Sequence, residues 1–279
     1  MTLVSQGLVD HSDCLGAAAR FGGGDAQWLP AGRGIVHAEM FPLLDSAAPN
    51  PLELFQIWLN LPARSKMAAP HFTVLWSQHM PRAICRDAAG RTTEVVCVAG
   101  RLAQAGLAEP LPPPPDSWAS QPGADRAIWT LKLAPRAQWT LPAAAAAATR
   151  RMLYCLQGAS VTVDGQAVSG HAAIELRDGR AVPIVNGLEA SEFLLLKGRP
   201  IGEPVAQHGP FVMNTQQELR QAFDDYRRTG FGGWPWPDAA PVHGPQRRRF
   251  ARHADGRSSF PRRPARCRTR HRAGRVAVR

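Results

Sequence analysis

Glycine and proline interrupt this chain so often that few of its stretches could sustain a long helix. Each occurs 25 times in 279 residues, and the intervals left between them favour strands. In the first half, strands are expected at residues 26–29, 35–40, 56–61 and 94–98. The stretch ELFQIWLNLP sets Phe55, Ile57 and Leu59 against Gln56, Trp58 and Asn60, the two-residue period of a sheet. In the second half AIWTLKL alternates in the same way. ASVTVDGQAV places Asp164-Gly165 between two β-prone runs, a hairpin signal, and further strands are expected at 171–176 and 192–197. One helix is expected, in NTQQELRQAFDDYRR. Thr215 and Glu218 are spaced for a capping box there, and Leu219, Ala222, Phe223 and Tyr226 form one apolar stripe that would pack against a barrel.

Between the halves lies LAEPLPPPPDSW, whose four consecutive prolines cannot join a sheet interior and favour an extended spacer. The fold expected is mainly β: a first domain over residues 1–106, a linker over 107–118, a second domain over 119–240, and a basic, disordered tail over 241–279. At this length each domain can bury its own core.

The charge is unevenly placed. Residues 246–279 carry thirteen arginines, no lysine and one acid, Asp255, a net of +12, and the preceding 245 residues sum to −1. The globular part is therefore neutral, and the tail alone could attract polyanions, weakly and with strong salt dependence. It contains only Phe250 and Phe260 as aromatics, too few for a base-stacking platform. Cys14, Cys85, Cys97, Cys155 and Cys267 show no C-x-x-C pairing and read as reduced thiols of a cytoplasmic protein. No apolar run is long enough to span a bilayer and MTLVSQGLVD lacks the basic start of a secretory signal, so no membrane role is expected. No Ser/His/Asp grouping, P-loop or dinucleotide fingerprint is present.

The chemistry concentrates in GIVHAEM. His37 and Glu39 are two apart in an expected strand and so project from one face. Upstream, the spacing runs G-x5-P-x-G-x4-H-x-E from Gly24 through Pro30 and Gly32, glycine and proline shaping a turn that delivers a strand into a barrel. This pattern resembles the second metal motif of the cupin superfamily. GDAQWLPAGRGIVHAEM, FQIWLNLP and KMAAPHF resemble, in order, signatures of the pirin family, and LLLKGRPIGEPVAQHGPFVMNTQQEL and DYRRTGFGGWP resemble its carboxy-terminal domain. The resemblance covers about residues 7–257.

The resemblance implies two jelly-roll cupin barrels packed together. The amino-terminal one would hold a divalent metal, Fe(II) first, through three histidines and a glutamate; the other would lack a metal. It implies quercetin 2,3-dioxygenase-type opening of flavonols with O2 in bacterial members, and binding of transcription factors in eukaryotic ones. Open positions on a metal held by N and O donors suit an enolate-like oxygen and O2 together. His37 and Glu39 match the family's last two ligands. Its first two form an H-x-H in HPHxGFET, just before a VTYLLxG strand. Here MTLVSQG takes the place of that strand, and no H-x-H occurs in the chain. The first barrel is accordingly expected to lack its first strands, as from a misassigned start or a frameshift.

His11 falls at a family position that is not a ligand, and His71, His79, His171 and His208 are expected to be surface or packed histidines. A lone His–carboxylate pair binds divalent metal weakly. Residues 258–279, with eight arginines and no acid, resemble nothing in the family and read as out-of-frame, GC-rich coding. Three functions stand in order: a metal-dependent dioxygenase acting on a flavonol-like aromatic and O2, impaired by the absent ligand pair; a non-catalytic bicupin that binds a protein partner; and a nucleic-acid binder through its tail. A monomer is expected.

Overall fold

The computed structural model describes residues 1–261 apart from 105, 147 and 178. Seven strands open the chain: β1 (Thr2–Gln6), β2 (Leu8–Asp13), β3 (Ala18–Gly22), β4 (Asp25–Trp28), β5 (His37–Met40), β6 (Glu53–Gln56) and β7 (Thr73–Leu75). Ten more follow: β8 (Arg82–Arg86), β9 (Thr92–Ala99), β10 (Ala127–Leu133), β11 (Gln138–Leu141), β12 (Arg150–Gln157), β13 (Ser160–Val163), β14 (Gln166–Ser169), β15 (Ala172–Leu176), β16 (Val182–Asn186) and β17 (Ser191–Gly198). A hairpin of β18 (Ala206–His208) and β19 (Phe211–Met213) leads to the helix α1 (Gln216–Thr229), and β20 (Phe250–Arg252) and β21 (Ser258–Ser259) close the described chain.

The strands make two barrel-like units of facing sheets that do not close. The first pairs a sheet of order β6-β1-β4-β7 with one of order β21-β20-β3-β2-β5; the second pairs β15-β12-β17-β10-β9-β8 with β11-β16-β13-β14. Alternation along the strands builds three cores. In β1, Val4 points into the first barrel with Val9, Phe21, Phe72 and Trp76. Leu3 points the other way and meets Trp28, Val98, Ile128 and Leu194 where the two units pack together. The second barrel is filled by Leu131, Leu133, Leu153, Phe193, Leu195 and their neighbours.

The helix has the expected cap, with the Thr215 side chain accepting from the Glu218 amide and the Glu218 carboxylate accepting from the Thr215 amide. Its stripe packs on the β18–β19 hairpin, with Phe223 4.4 Å from Phe211 between ring centroids. Asp164 and Gly165 both take positive φ, 49° and 78°, the geometry of a tight two-residue hairpin. Among the described residues no helix is long and apolar enough to cross a membrane.

Three expectations are corrected. The domain boundary near residue 106 does not divide the sheets: β8 and β9 belong to the second barrel, because β9 pairs antiparallel with β10, Trp129 opposite Cys97. The strand expected at 56–61 ends at Gln56; Ile57 is buried but its amide bonds to the Met1 carbonyl, and no strand continues beyond it. The tail expected to be disordered from 241 is ordered over its described part, 241–261, and packs on the first barrel. There β20 pairs with β3, putting Ala251 opposite Ala19, and Ala251 is fully buried. The buried Arg20 explains this. It forms a bidentate pair with Asp10 at 2.6 Å on each side, and it also donates to the carbonyls of Gly244 (2.9 Å) and Gln246. Asp10 in turn accepts from the His243 amide at 2.9 Å. Arg249 ties the same segment to Asp25 at 2.8 Å. Isolated arginines in the composition are here spent on buried partners, which charge counting cannot reveal. The basic stretch 262–279 lies outside the described residues.

The proline-rich connection is a strap laid on the surface. Pro113 and Pro114 are buried, and Trp118 at its end donates its indole N–H to the Arg199 carbonyl at 2.7 Å.

Candidate functional site

The turn before β5 is held from outside. Gly32 takes φ of 52°, and a Cβ there would run into the Ala68 carbonyl, so only glycine allows the approach. The Arg33 amide donates to that same carbonyl at 2.9 Å, and the His71 amide donates to Pro30 at 3.1 Å. The loop around KMAAPH thus grips the turn and aims the strand that follows.

β5 lies antiparallel to β2, with Glu39 opposite His11 and His37 opposite Asp13. Directly opposed residues share a face, so four polar side chains line one patch of the first barrel's interior. The facing sheet supplies a second row. Thr2 is opposite both Gln56 and Gln27, and Gln27 is opposite Val74. The rows meet at Glu39: one carboxylate oxygen accepts from the Thr2 hydroxyl at 3.0 Å, the other from the Gln56 amide at 2.5 Å. These bonds fix the carboxylate's orientation.

His37 stands at the mouth and keeps contact with solvent. The strands nevertheless remove enough water around it that burial, and then the nearby His11, lower its pKa; Glu39 and Asp13 oppose this only in part. The ring is held neutral near pH 7, with a lone pair free to accept a proton or a cation. His11 is fully buried beneath it, stacked 5.8 Å from His37 and 5.1 Å from Phe72 between ring centroids. Its Nε2 lies 3.1 Å from an Asp13 carboxylate oxygen. The other Asp13 oxygen accepts from the amides of Leu15 and Ala17 at 2.9 and 3.0 Å, so Asp13 shapes the β2–β3 turn as well as orienting His11.

The structure therefore puts His37 and Glu39 on one interior face, as the H-x-E spacing requires, and brings His11 against them. His71 and His79 line a separate open cleft of about 440 Å³ with His253 and Trp76. Phe72 forms the wall between that cleft and His11. His208 packs on Phe223 at 5.4 Å between ring centroids, and His171 lies at the start of β15, exposed. Sequence reasoning passed over Gln27, Thr2 and Gln56 and set His11 aside. Only pairing register places them, although the i, i+2 spacing of His11 and Asp13 was a signal that both face one way.

Among the described residues no group of three or more His, Cys, Asp or Glu side chains is gathered so as to hold a metal ion. The donor set at this site is His37 and Glu39, with His11 turned toward Asp13. Two donors do not fit a tightly held divalent ion, which takes three or four protein ligands.

Comparison with known proteins gives the context. A family model described as Pirin matches residues 1–59, and one described as Pirin C-terminal cupin domain matches residues 128–232. Pirin-1 of Arabidopsis thaliana is 33% identical over 237 residues, covering 83% of this chain and 74% of that protein. A pirin-like protein of Caulobacter vibrioides is 35% identical over 231 residues, covering 83% and 76%. The crystal structure of quercetin 2,3-dioxygenase from Acinetobacter baumannii superposes with a TM-score of 0.69 at 30% identity, covering 83% of this chain and 75% of that one. With both barrels matched in order, and with the glycine turn that aims His37 and Glu39 falling inside the first match, this chain belongs to the pirin family.

Proposed function

We propose that the interior of the first barrel is the seat of quercetin 2,3-dioxygenase-type chemistry, the opening of a flavonol's heterocyclic ring with O2. The observation that carries this is the His37–Glu39 face, lying within a chain 30% identical to a solved quercetin 2,3-dioxygenase across 83% of its length. In that reading the cofactor is a divalent metal, Fe(II) by resemblance to the family, and His37 and Glu39 are two of its ligands. The donors present make half a site, so the chain with these side chains alone is impaired. Its own residues then do two things. Thr2 and Gln56 hold Glu39 as an oriented carboxylate, and neutral His37 at the mouth can take a proton from an acidic hydroxyl. The protein acts in the cytoplasm as a monomer in this reading.

The test is metal content after loading with Fe(II), together with loss of quercetin absorbance and O2 uptake. Less than stoichiometric metal and slow turnover are expected. Stoichiometric, tightly held metal would refute the impairment, and full metal with no flavonol consumption would refute the dioxygenase reading.

A second reading, a bicupin that binds a protein partner, is favoured by large apolar side chains left in solvent: Leu43 is 80% exposed, Trp58 64% and Met67 58%. Scattered exposed apolar residues are common, so it ranks second. Recovery of one specific partner that a Trp58→Ser variant fails to recover would raise it.

A further inference from the structure

Two polar groups inside the first barrel are satisfied by nothing around them. Gln27 is fully buried, and neither its amide nitrogen nor its amide oxygen has a hydrogen-bond partner among the described residues. The same holds for Nδ1 of His11, also fully buried. A buried amide with no partner is costly, and a native fold that keeps one calls for a reason such as a missing guest.

The placement of Gln27 indicates what that guest would meet. It is the cross-strand partner of Thr2, which is the cross-strand partner of Gln56, so all three side chains stand in one row facing β2 and β5. Thr2 and Gln56 are committed to Glu39. Gln27 is not. Its other neighbour in the row is Val74, and two residues before that Phe72 lies against His11. The unsatisfied amide is thus walled by apolar carbon on one side and by the Glu39 cluster on the other.

We propose that Gln27 reads the polar edge of the ligand that enters this barrel, and that this edge carries a hydroxyl next to a keto oxygen. A glutamine amide presents a donor and an acceptor side by side. A hydrocarbon would leave both unmet. A carboxylate would meet the N–H and repel the carbonyl oxygen; a cation would do the reverse. A hydroxy-ketone satisfies both at once, the keto oxygen accepting from Nε2 and the hydroxyl donating to Oε1. The inference rests on the dioxygenase-type reading, since a flavonol carries such a pair, and it assigns Gln27 to specificity.

The test uses two probes that differ only in that edge, 3-hydroxyflavone and flavone, with EDTA present so that no metal bridges probe and protein. Thermal unfolding and titration calorimetry are run on the wild type, on Gln27→Met and on Gln27→Leu as a second apolar variant. The wild type is expected to bind 3-hydroxyflavone about tenfold or more tightly than flavone, as a lost pair of buried hydrogen bonds implies. Gln27→Met without ligand is expected to melt higher than the wild type, because the unmet amide is gone, and to bind the two probes equally. The proposal is overturned if the wild type does not distinguish the probes, if either variant still does, or if both variants melt lower, which would make the amide a structural group. Quercetin consumption by the same wild-type protein reports separately on the reaction. Turnover without discrimination removes the role of Gln27 alone, and discrimination with full metal loading but no turnover removes the dioxygenase reading alone.

Discussion

The two barrels share a plan and differ in what they put inside it. The second is filled with Leu131, Leu133, Leu153, Phe193 and Leu195, all buried. Its interior thiols Cys97 and Cys155 have pKa values raised by burial, which keeps them protonated and inert. The first devotes one layer of its interior to Thr2, His11, Gln27 and Glu39, with His37 and Gln56 exposed at the mouth. Close-packed hydrocarbon stabilises through area removed from water and makes no demand for partners. A polar layer demands a partner for every atom, and in the first barrel some atoms lack one. One barrel is packed with hydrocarbon, and the other holds the buried amide to which the proposal above assigns a ligand.

The largest expected effect lies in the clamp that compensates the first barrel. Arg20→Ala would strand the Asp10 carboxylate in the interior and release the 243–252 segment, at a cost of about 3–5 kcal/mol in denaturant unfolding. A loss under about 1 kcal/mol would show that the first barrel does not depend on this clamp. Next comes Leu153→Ala in the second barrel, where a cavity should cost about 2–5 kcal/mol while leaving any ligand-binding constant unchanged. A change in binding would mean that the two interiors communicate through the shared Leu3–Ile128 layer. Glu39→Gln should behave in the opposite way. Its stability cost should be about 1 kcal/mol or less, yet any quercetin turnover should fall roughly tenfold or more. If stability collapsed instead, the polar layer would be scaffold.

The smallest effect is pH-dependent and belongs to the second unit. Burial pushes the Asp125 carboxyl up, but hydrogen bonds from Lys197 (2.6 Å), Thr149 (2.7 Å) and the Ala146 amide outweigh it and hold the pKa below the usual aspartate value. A carboxylate with a lowered folded pKa contributes stability above its unfolded pKa and loses it as pH falls through the folded one. Asp125→Asn should therefore be less stable than the wild type near neutrality, with the difference narrowing below about pH 4. A difference that stays constant with pH would reduce the Lys197 contact to a charge-independent role.

Much of this was legible in the residues. The Asp-Gly hairpin, the capping box before α1 and the alternating AIWTLKL strand are local signals, set by side-chain chemistry within a few positions, and they hold in the structure. The G-x5-P-x-G-x4-H-x-E spacing led to His37 and Glu39 because a two-residue offset in a strand fixes a shared face. Three things were not legible. The β8–β9 hairpin joins the second barrel through pairing with β10, a contact across the proline-rich strap. The arginine-rich end reads as a solvated tail until Arg20, over two hundred residues away, is found bonded to its carbonyls. His11 and Gln27 look like an ordinary histidine and glutamine until register sets His11 opposite Glu39 and Gln27 opposite Thr2.

By itself, then, the sequence determined the strand content, the capped helix, the family and the shared face of His37 and Glu39, because each depends on short-range spacing or on ordered motif matches. The tertiary structure alone decided which sheet each strand joins, that residues 243–252 pack on the first barrel, and which polar side chains meet inside it. The reason is physical: strand partners and buried charge pairs are chosen by burial and by hydrogen bonds between residues far apart in the chain, and no local pattern records that choice.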